Sequence, residues 1–257
     1  MKRPTALVVL AGMVGLAGPA AADETTFCNF FITSLPRVIT TQGHYCFDRN
    51  LSTAIITGNA ITINADFVVL DLNNFKLGGG SAGLGTNAVG IYSSDHRNIT
   101  VRNGNIRGFK YGIRLVGTST ASGGFVIENN FLDGNTFIAI AAQTGGDSVI
   151  RNNVIANTGG TTTTTYTTIG IRAYDNYGLG FSSVRDNVVT NTFQTSGYAA
   201  GISAKVVDRN IVKMGTAGVL AIGIEAEVCR DNTVLDNTPG WGLNCGATVG
   251  DNYTNVP

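Results

Sequence analysis

The stretch Val126-Ile-Glu-Asn-Asn130 recurs later in the chain as Val149-Ile-Arg-Asn-Asn153 and as Ser183-Val-Arg-Asp-Asn187. In each copy an apolar residue lies three positions before the final Asn, and another lies two positions after it. Because side chains alternate between the two faces of a strand, this pattern predicts two short strands joined at a polar corner. Further copies end at Asn210, Asn232 and Asn252, and a fainter copy, Thr100-Val-Arg-Asn-Gly104, precedes them all.

Alignment of the copies gives two columns of apolar residues. The column before the Asn contains Val101, Ile127, Ile150, Val184, Val207, Cys229 and Val249. The column after it contains Ile106, Leu132, Ile155, Val189, Val212 and Val234. A second element, Gly or Ala followed by a branched apolar residue, alternates strictly with these copies and places its apolar residue at Ile91, Ile113, Ile140, Ile171, Ile202, Ile224 and Leu243.

The alternation of the two elements defines coils of roughly twenty residues, apart from intervening loops, and this is the period of a solenoid. The apolar runs are too short for helices. We therefore predict an all-β chain that forms a single-domain, right-handed parallel β-helix. The repeated Asn is interpreted as scaffold, because stacked side-chain amides hydrogen-bond from coil to coil while Asn accepts the unusual backbone angles of a corner.

The first residues have the order of a secretory signal. Met1-Lys2-Arg3 is followed by an apolar stretch and then by Ala20-Ala21-Ala22, so we expect a signal peptide at 1–22 and the β-helix domain at 23–257. No later stretch is long and apolar enough to span a membrane. The chain has 17 basic and 17 acidic residues and lacks the basic stripe that nucleic-acid binding requires. We expect a secreted or periplasmic monomer without a nucleic-acid partner.

The four cysteines fall into one pair near each end of the predicted domain, Cys28 with Cys46 and Cys229 with Cys245. The ends of an elongated stack lie far apart, so only pairing within each local pair is geometrically comfortable. Export favours oxidation, and the spacings do not resemble those of a zinc site. We predict two disulfides that staple the first and last coils, and no metal site.

Three early stretches resemble the N-terminal coils of the pectate-lyase-like superfamily of secreted β-helix proteins. They are Val38-Ile-Thr-Thr-Gln-Gly-His-Tyr-Cys46, Ile61-Thr-Ile-Asn-Ala-Asp-Phe-Val-Val-Leu-Asp-Leu-Asn-Asn74 and Asn98-Ile-Thr-Val-Arg-Asn-Gly104. The repeats are similar to those of mannuronan epimerases, alginate lyases and NosD-type periplasmic proteins. The sequence lacks the Asp-Pro-His-Asp signature of the epimerases and the aspartate cluster that holds calcium in pectate lyases.

The resemblance implies that catalytic groups project from the strand that begins with Gly and an apolar residue, at the first and third positions after that apolar residue. The first-position column is Tyr92, Arg114, Ala141, Arg172, Ser203, Glu225 and Asn244. The third-position column is Ser94, Val116, Gln143, Tyr174, Lys205, Glu227 and Gly246. Since neighbouring strands lie about 4.8 Å apart, we expect one contiguous polar patch made of Arg172, Tyr174, Lys205, Glu225 and Glu227.

This patch suggests cleavage of an acidic polysaccharide such as alginate by β-elimination, without a cofactor. Arg172 would neutralise the substrate carboxylate, because a guanidinium grips a carboxylate through two donors. Lys205 would remove the C5 proton and Tyr174 would donate a proton to the leaving oxygen, and the residues equally allow these two roles to be exchanged. We expect further substrate contacts from Tyr92, Arg114, Gln143, Tyr166, Glu225 and Glu227.

Two other interpretations are open from the sequence alone. Outward residues of any β-helix are polar, and opposite charges on neighbouring coils relieve repulsion, so the patch also suits a non-catalytic glycan-binding or structural protein. A uronate epimerase is the other alternative. Insertions beside the same strand favour a binding groove, because loops along one face of a solenoid usually form its walls. The insertions lie at 78–88, 117–124, 158–168 and 192–200.

Overall fold

The computed structural model describes residues 28–119, 121–175, 181–235 and 240–255. The predicted signal peptide at 1–22 lies outside the described residues. Within the described ranges the chain forms short strands and one 3-10 helix, Gly80–Ala82. No helix in those ranges is long and apolar enough to cross a membrane.

The strands are numbered in chain order. They are β1 Phe30–Ile32, β2 Arg37–Ile39, β3 Gly43–Phe47, β4 Leu51–Ser52, β5 Asn59–Ile63, β6 Val68–Asp71, β7 Lys76–Gly78, β8 Val89–Ser94, β9 Ile99–Arg102, β10 Asn105–Arg107, β11 Tyr111–Val116, β12 Phe125–Glu128, β13 Phe131–Asp133, β14 Ile138–Thr144, β15 Ser148–Arg151, β16 Val154–Ala156, β17 Thr168–Asp175, β18 Ser182–Arg185, β19 Val188–Thr190, β20 Tyr198–Asp208, β21 Ile211–Lys213, β22 Leu220–Arg230, β23 Thr233–Leu235, β24 Gly240–Val249 and β25 Tyr253–Asn255.

The strands stack in three columns, which we call faces. Face 1 contains β2, β5, β8, β11, β14 and β17, and face 2 contains β1, β3, β6, β9, β12, β15 and β18. In the last three coils one long strand, β20, β22 or β24, runs through both of these faces. Face 3 contains β4, β7, β10, β13, β16, β19, β21, β23 and β25. The pairing between coils is parallel, which confirms the predicted right-handed parallel β-helix.

The core is formed by the apolar columns that the repeats predict. Ile91, Ile113, Ile140, Ile171, Ile202, Ile224 and Leu243 are in register on face 1. The columns that begin at Val101 and Ile106 are in register on faces 2 and 3. The predicted inward position of Val249 in the face-2 column is wrong. Cys229 pairs with Thr248, and Val249 pairs with Arg230 on the outer side. The cause is one extra residue at the last corner, where Gly250 has a φ of 70°.

The asparagines at the face-2 to face-3 corner form a continuous ladder. The side-chain amide of Asn153 donates to Asn187 Oδ1 at 3.0 Å, and that of Asn187 donates to Asn210 Oδ1 at 3.0 Å. The same bonds run from Asn130 to Asn153 and onward to Asn232 and Asn252. The scaffold interpretation therefore agrees with the hydrogen bonding in the structure.

The sequence predicts that the repeated Asn itself adopts the unusual backbone angles of the corner, but the residue before it adopts them. The left-handed φ belongs to the residue before five of the six ladder asparagines, at Asn129, Asn152, Asp186, Arg209 and Asp231, and at the last corner it lies at Gly250, two residues before Asn252. Two successive residues therefore form the corner: the first adopts the left-handed conformation that turns the chain, and the second makes the hydrogen bonds between coils. This explains why the turning position is variable in the repeats while the following Asn is constant.

The Gly of the Gly-apolar element is required by close packing. A Cβ on Gly223 would overlap Val234 Cγ1 and would lie 2.5 Å from the carbonyl oxygen of Gly242. The next residue, Ile224, is also buried, so two successive positions face the interior. In this coil the first of these positions has no room for a side chain, which is why Gly occupies it.

Both predicted disulfides are present. Cys28 is bonded to Cys46 with a Cα–Cα distance of 5.7 Å, and Cys229 is bonded to Cys245 with a Cα–Cα distance of 6.0 Å. The first joins the segment before β1 to β3, and the second joins the paired strands β22 and β24. Each bridge closes one end of the described stack, as the sequence predicts.

Candidate functional site

A cleft of about 560 Å³ lies on the outer side of face 1, across β11, β14, β17, β20 and β22. It combines aromatic rings with two charged groups, Arg172 and Glu225. Its lining residues are Tyr111, Phe137, Tyr166, Thr167, Ile169, Arg172, Tyr174, Tyr198, Ala200, Ser203, Ile222 and Glu225. A concave region with aromatic walls is where a protein usually holds a small ligand, so this cleft is the candidate site.

Two outward rows of side chains form the floor. Ile169, Ala200 and Ile222 are in register and make an apolar row. Arg172, Ser203 and Glu225 are also in register and make a polar row beside it. Ile169 and Ala200 are largely buried in a cluster with Phe137, so the apolar row supports the floor, and the polar row beside it supplies the donors and acceptors for a ligand.

Tyr174, Ser203 and Glu225 form a hydrogen-bonded cluster in the cleft. The hydroxyls of Tyr174 and Ser203 are hydrogen-bonded to each other, and Ser203 Oγ donates to Glu225 Oε2 at 3.1 Å. The Tyr174 hydroxyl also donates to Glu225 Oε2, at 3.4 Å. Burial raises the pKa of Tyr174 above its ordinary value, and the negative charge of Glu225 raises it further, against the opposing effect of the Ser203 hydrogen bond. Tyr174 is therefore held as a neutral phenol, which can donate a proton.

Arg172 supplies the positive charge of the cleft. Its guanidinium carbon lies 5.6 Å from the centre of the Tyr174 ring, and its Nε is buried without a hydrogen-bond partner. Among the described residues no carboxylate is ion-paired with it. A partly buried guanidinium that faces an aromatic ring, with no carboxylate ion-paired to it among the described residues, can bind an incoming carboxylate.

Arg114 is placed similarly, two coils away on the same face. Its guanidinium carbon lies 4.9 Å from the Tyr111 ring centre and 5.8 Å from that of Tyr92, and its Nε also has no hydrogen-bond partner among the residues described. The small residue Ala141 is paired with both Arg114 and Arg172 and separates them. Arg114 does not line the cleft itself, but it contacts Tyr111, which does.

The predicted site residues divide into two groups. The structure brings Arg172, Tyr174, Glu225 and Tyr166 together in the lining of the cleft. The other predicted residues, Tyr92, Arg114, Gln143, Lys205 and Glu227, lie outside that lining. Lys205 follows Ala204, which is paired with Ala173, so it stands in the coil next to Tyr174 on the outer surface. Its predicted role as a base therefore stays a prediction.

Several lining residues are not among the sequence-predicted site residues. Tyr111, Ile169, Ala200 and Ile222 share one position, two residues before the inward apolar residue of their strand. Strict alternation would turn this position inward, but the inward Gly that follows it shifts the alternation by one. The Gly-apolar pair in the sequence predicts this outward position. When two successive residues point inward, the residue before them points outward.

Loops make the walls of the cleft. Tyr166 and Thr167 come from the loop between β16 and β17, and Tyr198 begins β20 after the next loop. These are the insertions at 158–168 and 192–200. The insertion at 78–88 supports the first of them, because the Leu84 carbonyl accepts a hydrogen bond from the Thr162 N–H at 3.3 Å. The described residues of 117–124 do not line the cleft.

One group of potential metal ligands lies at the other end of the stack. Cys28, His44 and Cys46 bring ligand atoms within 4.8 Å of one another. Both sulfurs are consumed by the disulfide, so they cannot serve as thiolate ligands. The group is therefore part of the N-terminal staple.

The fold and the cleft together define a parallel β-helix protein with an aromatic-walled site on one face. No family model and no curated protein matches the chain, and the resemblance to the pectate-lyase-like superfamily is not confirmed. One solved structure, the Dettilon tailspike protein, is 14% identical with a TM-score of 0.36, over 88% of this chain and 60% of that chain. The chain thus spans less than two thirds of that protein, and a likeness this weak identifies neither a family nor a function.

Proposed function

We propose that this chain is an exported protein that binds an acidic polysaccharide, of the uronate class to which alginate belongs, in the face-1 cleft. The observation that carries the proposal is Arg172, whose partly buried guanidinium lies in a cleft with aromatic walls and has no anion partner among the described residues. A uronate sugar presents one apolar ring face and one carboxylate. Tyr166, with 78% of its surface exposed, and Tyr198, with 46% exposed, offer rings for stacking.

The site also has the groups for β-elimination. Arg172 would neutralise the C6 carboxylate and so make the C5 proton more acidic. A base removes that proton, the C4–C5 double bond forms, and the glycosidic oxygen leaves with a proton from Tyr174. The raised pKa of Tyr174 favours this residue as the acid rather than as the base. Of the two role assignments that the sequence allows, we therefore propose the one in which Lys205 is the base.

Glu225 is the second candidate base. It lies in the cleft and is hydrogen-bonded to the proposed acid, whereas Lys205 lies outside the lining. A Lys205→Ala variant and a Glu225→Gln variant separate these assignments. Loss of cleavage in the first alone supports Lys205, and loss in the second alone transfers the role to Glu225.

Binding is tested with Arg172→Gln and Arg172→Lys, by calorimetry on short oligouronates and on a neutral glucan oligomer of equal length. Loss of a bidentate charged contact is expected to weaken oligouronate binding roughly tenfold to a hundredfold. Lys keeps the charge without the fork and should give an intermediate loss. Arg49→Gln is the matched control, because Arg49 is an exposed arginine paired with Asp48 at the N-terminal end. Equal affinity of the Arg172→Gln and control variants would disprove uronate binding in this cleft.

Cleavage is tested by the ultraviolet absorbance of new unsaturated ends on a panel of uronate polymers. Absorbance that depends on Tyr174 supports the lyase. If none appears but binding depends on Arg172, the protein is a non-catalytic glycan binder. Proton NMR of the recovered polymer detects the remaining alternative, because epimerisation changes the sugar configuration without creating chain ends.

A further inference from the structure

A second depression, of about 420 Å³, lies on the outer side of face 2 at the level of β15, β18, β20 and β22. We call it the face-2 groove. Its lining residues are Asp147, Val149, Phe181, Ser183, Arg185, Val206, Asp208 and Arg230. It shares no lining residue with the cleft on face 1.

An outward column of charged side chains runs along face 2 and includes the groove. Its in-register members are Asp71, Arg102, Glu128, Arg151, Arg185, Asp208 and Arg230. In the first part of the column the charges neutralise each other. Arg102 Nε lies 2.8 Å from Asp71 Oδ2, and Arg151 Nη2 lies 2.7 Å from Glu128 Oε2. Ion pairing between neighbouring coils therefore accounts for the charged residues from Asp71 to Arg151.

The two arginines of the groove depart from this pattern. Within the described ranges no carboxylate is ion-paired with Arg185 or Arg230, although Asp208 stands between them in register. Asp208 Oδ2 is instead paired with Arg209 Nη1, at 2.5 Å. The other carboxylate, Asp147, accepts the Phe181 N–H at 2.7 Å through Oδ1. One oxygen of each acidic group, Asp208 Oδ2 and Asp147 Oδ1, is thus engaged within the protein, and neither carboxylate is ion-paired with the two arginines among the described residues.

Three further features define what would fit between the arginines. Val149 and Val206 provide an apolar floor, and Phe181 is a rim residue with 57% of its surface exposed. Asp208 Oδ1 is buried and has no hydrogen-bond partner in the part of the chain that the structure describes, so it can accept a hydroxyl hydrogen. A ligand that satisfies all of them has an anionic group, at least one hydroxyl and a flat apolar side.

We propose that the face-2 groove is a second binding site, for a saccharide unit that bears a carboxylate. Arg185 and Arg230 hold the carboxylate, Asp208 Oδ1 accepts a hydroxyl, and the sugar ring packs on Val149 and Val206. Because β20 and β22 line both depressions, the two sites lie at the same level of the stack on adjoining faces. One acidic polymer could therefore contact the protein on two sides.

The test counts binding sites by equilibrium dialysis of a short labelled oligouronate against four proteins. These are the wild type, Arg172→Gln for the cleft, the double variant Arg185→Gln/Arg230→Gln for the groove, and a matched double variant Arg37→Gln/Arg49→Gln. The last removes two exposed charges at the N-terminal end and so has the same net charge as the groove variant. Circular dichroism confirms that each variant keeps its strands.

The wild type and the matched variant should bind two equivalents, and the groove variant should bind one. If the cleft does not bind uronates, the wild type should bind one equivalent and the groove variant none, which supports this site while overturning the proposed function. Equal binding by the groove variant and the matched variant would overturn the second site. A neutral oligomer of the same length should not bind the groove, and its equal uptake would also contradict the carboxylate assignment.

Discussion

The hydroxyl of Tyr174 lies 3.4 Å from Glu225 Oε2, and the Ser203 hydroxyl is hydrogen-bonded to both groups. These three residues belong to three successive coils, β17, β20 and β22. The stacking of coils thus assembles a proton-donating cluster from residues that are far apart in the chain. Its properties can be tested one residue at a time.

Glu225→Gln should lower the pKa of Tyr174. The carboxylate opposes ionisation of the phenol, so its removal makes the phenolate easier to form, while burial still holds the pKa above the ordinary value. A titration of ¹³C-labelled tyrosine by NMR measures the change, with the assigned Tyr166 signal as the internal control. An unchanged Tyr174 titration would show that Glu225 does not act on this phenol.

The raised pKa of Tyr174 also predicts a loss of stability in alkali. A tyrosine whose pKa is raised by folding contributes stability that is complete below the unfolded pKa of about 10 and is lost as pH rises through the folded value. Tyr174→Phe removes this contribution. Chemical unfolding at a series of alkaline pH values should therefore give a shallower decline in the free energy of unfolding for the variant than for the wild type.

If the chain is a lyase, Tyr174→Phe should lower kcat on a uronate polymer by roughly a hundredfold to ten-thousandfold, the usual contribution of a general acid. Binding should change little, because the ring that faces Arg172 is retained. Calorimetry and the absorbance assay on the same preparation separate these effects. A parallel fall in affinity would make Tyr174 a binding residue.

Asn187→Ala should destabilise the fold strongly. Its side chain donates to Asn210 Oδ1 and to the Ile150 carbonyl, and accepts from the backbone and side-chain amides of Asn153. Leaving buried groups unpaired costs about 1–3 kcal/mol each, so a total loss of roughly 3 kcal/mol or more is expected. Asn252→Ala at the partly exposed end of the ladder is the control and should cost less. Chemical denaturation followed by circular dichroism measures both variants.

Gly223→Ala should destabilise the stack by at least about 1–3 kcal/mol, because the new methyl group overlaps Val234 and the backbone must shift. Gly80→Ala is the matched control, since a Cβ there meets nothing within 4 Å and the φ is not positive. Thermal unfolding compares the two variants. Equal melting temperatures would show that the sheet accommodates the methyl group.

The scaffold was predictable because its signals are local and periodic. Columns such as Ile127, Ile150 and Val184 repeat at every coil, and stacking admits one register that buries them all. Prediction failed where one residue altered that period. The repeat spacing predicts an inward Val249, three residues before Asn252, but the extra residue at the Gly250 corner places Val249 on the outer side.

The candidate site was less predictable than the scaffold. The register of the strands fixes the backbone position and the face of each residue, but it does not fix the conformation of the side chain. The outward positions of Arg172, Tyr174 and Glu225 followed from the repeat. Their assembly depends on the direction in which the Tyr174 ring leans, toward Ser203 and Glu225, and that is set by packing in three dimensions. The apolar row of Ile169 and Ala200 was missed because Gly breaks simple alternation before each inward residue.

The asparagine corners recur at separations of 23, 34, 23, 22 and 20 residues, yet each corner makes the same side-chain bond to the next. Each corner therefore brings the chain back into register with the neighbouring coil, whatever the length of the loop before it. The longest interval, between Asn153 and Asn187, contains the segment that carries Tyr166. The corners on either side of this interval keep the same side-chain bonds, so the longer loop in the cleft wall does not disturb the neighbouring coils. Loops on this scaffold can therefore differ in length while the corners keep the same bonds, so the walls of the cleft can change without a change in the core.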